Sequence, residues 1–424
     1  MIRATRNYLV FLRRCFAIAF VGDWRYYLWM GALTVLVLLG LNAYAKQLVH
    51  GLIVTGMSDQ VSWGVYIANF TFLVGVAAAA VMMVIPVYIY DNEELHDLVI
   101  FGELLAVAAI LMCLAFVTVD LGRPDRFWHL IPGLGVLNFP ASMLSWDVIV
   151  LNGYLLLNLH ICGYLLYCRY QDKKPAKWFY IPFVFVAIVW AVSIHTVTAF
   201  LYVGLGGRPF WNSSIVGPRF LASAFTAGPA LIILALQIIR RITEYHITNK
   251  ALLTLRAIVQ VSMLINVFLL ACEVFKEFYS GDLQVASTRY LYLGFHGYHA
   301  LVPWIWTAIV FNLTAMFLLV LPLSRSLRWL NLTCVLCIVG IWIEKGMGLV
   351  IPGFIPTPLG QIVEYRPSLN ETLVCIGIWA FGLLCYTVFL RMAVPIMQGR
   401  LARANEDLPA GELGPVAQAA SQHS

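Results

Sequence analysis

The stretch VDLGRPDRFWHL, Val119 to Leu130, crowds Asp120, Arg123, Asp125, Arg126 and His129 together directly after an almost wholly apolar run, Val99 to Thr118. Carboxylates and an imidazole can take up protons, and arginine donors can hold an oxygen-bearing head group. Further along stand Asp147 in SWDVIV, Arg208 in GLGGRPFW and Arg219 in VGPRF, accompanied by Trp128, Trp146 and Trp211. Taken singly, each of these fits an ion pair that stiffens a loop, or an interfacial belt tryptophan. Taken jointly, ionisable groups at the edge of apolar segments point to a site for an amphipathic ligand that carries protons. A quinone has those properties. Its tail stays in lipid, its head accepts hydrogen bonds from Arg, His or Tyr, and oxidation of the quinol requires nearby Asp or His to receive protons.

Composition supports a membrane setting. Of 424 residues, 61% are hydrophobic and only 11% charged, with a mean hydropathy of +0.84, far from a soluble domain. The net charge of +6 is too thinly spread to suggest nucleic acid as a partner. The nine cysteines lie mostly in apolar runs, which argues against a disulfide framework. CVLC, Cys334 to Cys337, sits in such a run without histidine or further cysteine pairs nearby, so packing is its simpler role. The first apolar run, Tyr8 to Phe20, is split by Arg13 and Arg14 and reads as an amphipathic segment on the membrane surface rather than a cleavable signal.

A spanning helix needs roughly 20 mostly apolar residues. Ten segments qualify: 27–47, 64–90, 99–119, 144–168, 179–204, 217–239, 252–279, 303–323, 329–352 and 371–395. In lipid their backbones must be helical. With the N-terminus inside, the outer side holds nine of the 27 Lys and Arg: Lys46, Arg123, Arg126, Arg208, Arg219, Lys276, Arg289, Lys345 and Arg366. The remainder lie inside, so both termini are expected in the cytoplasm. The expected fold is an all-α integral membrane protein of ten spans in two helical bundles, the second made of spans six to ten. Residues 1–26 form a cytoplasmic amphipathic segment, 27–395 the membrane domain, and 396–424 a polar, disordered tail.

This frame places the opening stretch at the outer end of the third span, with Asp147, Arg208 and Arg219 converging on the same face among spans three to six. Tyr66 and Asn69 in WGVYIANF belong to the outer end of the second span, and His195 lies roughly 13 Å deep in the fifth. Glu103 falls near the inner end of the third span. Glu273 and Lys276, one turn apart, can neutralise each other, whereas the adjacent Glu344 and Lys345 need separate partners. His160 and His195 differ in depth by roughly 10 Å, which disfavours one haem held between them. Haem-attachment, iron–sulfur and dinucleotide-binding motifs are absent, so no haem or iron–sulfur cluster is expected in this chain, and electrons would leave to a partner's cofactor.

WGVYIANFTFLVG, VDLGRPDRFW and SIHTVTAFLYVGLGGRPFWNSSIVGPRFLASAFTAGPALIIL together resemble the NrfD/PsrC family of membrane quinol-oxidoreductase subunits. The resemblance covers roughly Trp63 to Leu234. With ten spans the chain is most similar to the longer branch of DsrP-like and HmcC-like subunits. That resemblance implies a quinone-reactive subunit of the bacterial or archaeal cytoplasmic membrane, exchanging electrons between menaquinone or ubiquinone and an adjacent iron–sulfur protein. It implies a pocket near the outer face, with Asp120, His129 and Asp147 as proton partners and His195 beside them. Tyr66, Asn69 and Arg123 would line the pocket or hold the head group; Arg208, Trp211 and Arg219 are further head-group candidates from their expected convergence on the same face. It further implies a sulfur-metabolism complex with a periplasmic ferredoxin-like subunit, a multihaem cytochrome c, a haem b membrane subunit and a cytoplasmic iron–sulfur subunit. A secondary transporter or a passive anchor are the competing readings. Prolines gathered mostly at span ends, such as Pro124, Pro140, Pro209, Pro218 and Pro352, disfavour the first.

Overall fold

A computed structural model of the chain describes residues 2–281 and 285–402, and among them it contains helices and no strands. Ten helices are long and apolar enough to cross a membrane: α1 Trp24–His50, α2 Val65–Tyr88, α3 Val99–Asp120, α4 Met143–Tyr170, α5 Lys177–Val203, α6 Val216–Ile242, α7 Asn249–Tyr279, α8 Val302–Val320, α9 Leu327–Phe354 and α10 Leu369–Met397. Residues 403–424 of the expected tail lie outside the described residues. A separate N-terminal helix, Ile2–Ala19, packs Phe11 against Tyr167 and Tyr170 at the end of α4, with ring centroids 5.2 and 5.1 Å apart. The Arg391 guanidinium near the end of α10 bonds the Val21 carbonyl just beyond that helix. These contacts gather the N-terminal helix and the ends of α4 and α10 on one face; the opposite face is the distal one.

Apolar burial gives little drive between helices in lipid, so close packing and internal hydrogen bonds hold the spans together. Small residues allow it. The α2 run Val74–Ala80 (VGVAAAA) meets the α6 run Ala224–Ala230 (AFTAGPA), where Gly228 leaves room for Ala79. The helix of α2 is interrupted by a turn at Ala79–Ala80, and Pro86 follows inside its second part. Pro229 lies near the middle of α6, so not every proline sits at a span end. Helices α2 and α3 are the most enclosed of the ten and α1 the most exposed to lipid.

Spans α2 to α5 and α6 to α9 form two groups joined by the α2–α6, α2–α9 and α5–α6 contacts. The tenth span does not join the second group. It pairs along α1 and packs on α3. Backbone approach explains this: a Cβ added to Gly377 would lie 2.7 Å from the Gly40 Cα, and one on Gly40 would lie 2.6 Å from the Gly377 Cα. Neither distance is tolerable, so both positions require glycine for α1 and α10 to touch.

In α9, Trp342–Met347 winds as a π-helix. The wider turn is a common accompaniment of functional sites. Here it directs Trp342, Glu344 and Lys345 to three different neighbours.

Replacing Gly377 by Leu is expected to weaken α1–α10 docking by about 1–3 kcal/mol through overpacking. Thermal unfolding of the detergent-solubilised protein reads this as a lowered midpoint, with Gly31→Leu as control because a Cβ there meets nothing within 4 Å. Equal midpoints for the two variants would remove the glycine contact as the cause of docking.

Candidate functional site

Five polar side chains meet at the distal ends of α1, α2, α3 and α10. Gln47, buried near the end of α1, donates to the Val119 carbonyl at 2.6 Å and accepts from the Tyr66 hydroxyl at 2.8 Å. The Val119 carbonyl belongs to the last turn of α3, which has no partner within its own helix, and the Gln47 amide supplies one. Asp120 follows at the end of that helix, within electrostatic reach of Tyr66, Tyr202 and Glu371. Its Oδ1 is buried and has no hydrogen-bond partner.

Glu371 is the opposite case. Its side chain accepts from Tyr365 Oη at 2.5 Å, from the Gly56 amide at 2.9 Å and from the Ser368 amide at 3.3 Å. Tyr365 in turn accepts from the Val65 amide at 2.9 Å, at the first residue of α2. Burial, joined by the Glu371 carboxylate, holds the Tyr365 phenol well above its ordinary value, which keeps it a donor. Gly56 runs so close to the Arg366 carbonyl that no side chain fits there.

Tyr202 of α5 connects this cluster to Asp147. Its hydroxyl meets Thr71 Oγ1, and it lies within electrostatic reach of both Asp120 and Asp147. Asp147 is buried near the start of α4 and accepts from Thr198 Oγ1 at 3.5 Å. An aromatic lid covers the distal side. Trp211, fully buried, stacks on Trp63 at 5.6 Å, meets Tyr202 and Phe354 edge-on, and donates to the Leu349 carbonyl at 2.8 Å. Arg208 lies over the Phe354 ring at 4.7 Å and reaches its carbonyl at 3.4 Å; partial burial pulls its guanidinium below the ordinary value.

Asn69 sits on a different face of α2. Its Oδ1 accepts from two indoles, Trp342 and Trp379, each at 3.0 Å, and its Nδ2 donates to the Val65 carbonyl at 2.8 Å. This amide forms one wall of an apolar cleft of about 450 Å³ between α1, α2, α9 and α10.

A second charged group lies between α6, α7, α8 and α9. Arg219 bridges Glu273, its closest partner, and Glu344 at 2.5 Å, and Glu344 also accepts from Asn312 at 2.5 Å. Lys345 donates to the Phe220 carbonyl at 3.2 Å and lies over its ring at 4.3 Å. The separate partners expected for Glu344 and Lys345 are present. The pairing expected of Glu273 with Lys276 is not: Lys276 binds Glu277 at 3.0 Å, because Arg219 occupies Glu273. His195 is fully buried between these groups, beside Phe225 and within electrostatic reach of Lys345, and neither ring nitrogen makes a hydrogen bond of normal geometry.

The structure therefore brings Tyr66, Asp120 and Asp147 together around Tyr202, with Trp211 beside them, and separates the four arginines. Arg123 is exposed and makes a two-pronged bond to Asp125 at 2.9 and 3.0 Å, which holds the Asp125 carboxyl below its ordinary value. His129 is exposed on the same loop, stacked on Trp128 at 3.8 Å. Arg126 is exposed there as well. Deeper toward the opposite face, Glu103 accepts from Cys162 at 3.1 Å. Gln47, Tyr202, Tyr365 and Glu371 were not among the candidates read from sequence. Only SLNE, Ser368 to Glu371, carried a signal, and it reads as a helix cap.

Comparison with known proteins agrees with the motifs. Residues 53–356 match the family described as polysulphide reductase, NrfD. The chain is 24% identical over 369 residues to the Hdr-like menaquinol oxidoreductase integral membrane subunit of Archaeoglobus fulgidus, covering 83% of this chain and 89% of that one. It is 27% identical over 347 residues to a putative dimethyl sulfoxide reductase membrane subunit of Halobacterium salinarum, 77% of each chain. A selenate reductase subunit of Mesobacillus selenatarsenatis is 22% identical over 239 residues, 49% of this chain and 55% of that one.

Removing Arg219 strands two buried carboxylates. Arg219→Met is expected to cost about 3–5 kcal/mol of stability. The triple variant Arg219→Met, Glu273→Gln, Glu344→Gln should regain part of it, because neither carboxylate is then left without its guanidinium, while Lys345 keeps the Phe220 carbonyl and ring. Detergent melting of the two proteins makes the comparison, and a triple variant no more stable than the single one would contradict the pairing.

Proposed function

This chain belongs to the polysulphide reductase NrfD family, and from that premise we propose that it is the quinone-reactive membrane subunit of a multi-subunit oxidoreductase. The observation that carries the proposal is Asp120: a carboxylate whose Oδ1 is buried and unpartnered within electrostatic reach of Tyr66 and Glu371, beside the Gln47 amide on Val119. Leaving a buried polar oxygen unpaired is costly, and sites that do so commonly await a ligand. A quinol hydroxyl supplies the missing donor. Oxidation of the quinol releases protons and electrons together, and Asp120 is positioned to receive a proton that Tyr202 and Asp147 pass onward. Glu371 cannot share that task easily, since its oxygens already accept from Tyr365, Gly56 and Ser368.

The charge bias of the loops supports a distal face outside the cytoplasm, so that protons leave outward. Electrons leave to an iron–sulfur partner. The exposed apolar side chains of the loop after α3, Phe127, Leu134, Val136 and Phe139, suit a protein partner at that face. Arg123, Asp125 and His129 on the same loop then belong to docking rather than to proton transfer. Menaquinol is favoured over ubiquinol by the name of the Archaeoglobus relative. A place in a sulfur-metabolism complex, with cytochrome c, haem b and cytoplasmic iron–sulfur subunits, rests on the motif resemblance to the ten-span branch.

In the assembled complex, Asp120→Asn should slow quinol-dependent reduction of the partner's cluster by roughly 10²–10⁴-fold while the complex keeps all its subunits. Rates within a few-fold of the parent would remove Asp120 from the chemistry, and unchanged rates for every distal variant would favour a passive anchor. Val136→Glu in the exposed loop should instead release the partner on purification and leave bound quinone in place; retention of the partner would clear the loop of a docking role.

A further inference from the structure

We propose that the cleft between α1, α2, α9 and α10 holds the isoprenoid tail of the quinol, in line with a head group at Asp120; this rests on the quinol reading. The cleft measures about 450 Å³ and is walled by Leu33, Leu36, Val65, Trp342, Trp379 and Ala380. Its polar element is the Asn69 amide, and that amide is spent: Oδ1 takes both indole N–H groups, and Nδ2 serves the Val65 carbonyl with Cys375 Sγ beyond it at 3.7 Å. Thr372 at the mouth spends its hydroxyl proton on the Ser368 carbonyl, so the body of the cleft is apolar. It offers aromatic and aliphatic surface to a hydrocarbon chain. The two hydrogen bonds on Asn69 fix both indoles, so the walls are held apart rather than free to collapse on each other.

Its position identifies the chain. Along α10 the lining runs from Thr372 to Leu383, about 16 Å at 1.5 Å per residue. The distal mouth lies at Val65, Pro367 and Thr372; the Val65 amide bonds Tyr365 Oη, which bonds Glu371, and Glu371 is within electrostatic reach of Asp120. A head group at Asp120 thus sends its tail straight down the cleft. A phospholipid chain would bring a phosphate to the same mouth, beside the Glu371 and Asp120 carboxylates, where like charge opposes it. A neutral quinol meets no such opposition.

The test is a ratio of KM values in the purified complex, for menaquinol carrying its isoprenoid tail against tail-less menadiol. Ala380→Phe fills the cleft from α10, and Leu36→Trp fills it from the more lipid-exposed α1 side, where folding is least at risk. Each is expected to raise the tailed-to-tail-less ratio about tenfold, whereas Leu38→Trp, on α1 but outside the cleft, leaves the ratio as in the parent. Parental ratios in both filled variants, or loss of a co-purifying phospholipid without a change in ratio, would overturn the tail assignment. A parent complex that oxidises neither quinol would overturn the quinol reading itself, which separates the two failures.

Discussion

One carboxylate closes the distal end of the molecule. Glu371, at the start of α10, accepts from the loop after α1 through Gly56, from its own cap through Ser368, and from Tyr365, whose oxygen takes the first amide of α2. These bonds tie α10 and α2 to the segment between α1 and α2. Water is scarce at this depth, so each donor would otherwise be stranded. The ring of helix ends they fix is what leaves Asp120 enclosed, Tyr66 on Gln47, and the Val65 end of the cleft open to lipid.

The two polar groups of the membrane domain differ in whether their carboxylates meet a cation. Around Arg219 the charges match: one guanidinium lies between two glutamates, one of them also held by Asn312, with the Lys345 ammonium on a carbonyl and a ring. Such a cluster fixes four helices relative to one another, and its charge stays where it is. Around Asp120 the balance is left open. The Asp120 carboxylate, by contrast, has one buried oxygen without a hydrogen-bond partner. His195, fully buried between them and near Lys345, occupies the boundary.

The ten spans were legible because lipid demands long apolar helices, and the observed ends fall within a few residues of those read from hydropathy. Tyr66, Asp120 and Asp147 were legible as ionisable or aromatic groups at span ends. Their partners were not. Gln47 lies outside the motif-bearing region, and a glutamine at a helix end resembles any interfacial residue. Glu371 stands in SLNE, and it does make the capping box that pattern predicts; the bond that the same oxygen, Oε2, accepts from Gly56, distant in sequence, leaves no local mark. Arg123 misled for the converse reason. Its charge is neutralised in the open by Asp125, two residues on, away from the buried group. Placing α10 with the second group failed because two single glycines, Gly40 and Gly377, decide the α1–α10 contact, and neither belongs to a recognisable repeat.

The π-turn of α9 joins these features. An α-helical turn would place Trp342 and its successors on a fixed 100° spacing, and Glu344 and Lys345 would compete for neighbouring directions. The wider turn instead lets Trp342 reach Asn69 at the cleft, Glu344 reach Arg219 and Asn312, and Lys345 reach the Phe220 carbonyl. Wall, clamp and buried cation are thereby set by six consecutive residues, Trp342–Met347. A shift of that turn by one residue would move all three together. The cleft wall and the Arg219 cluster are therefore carried by one short stretch of backbone.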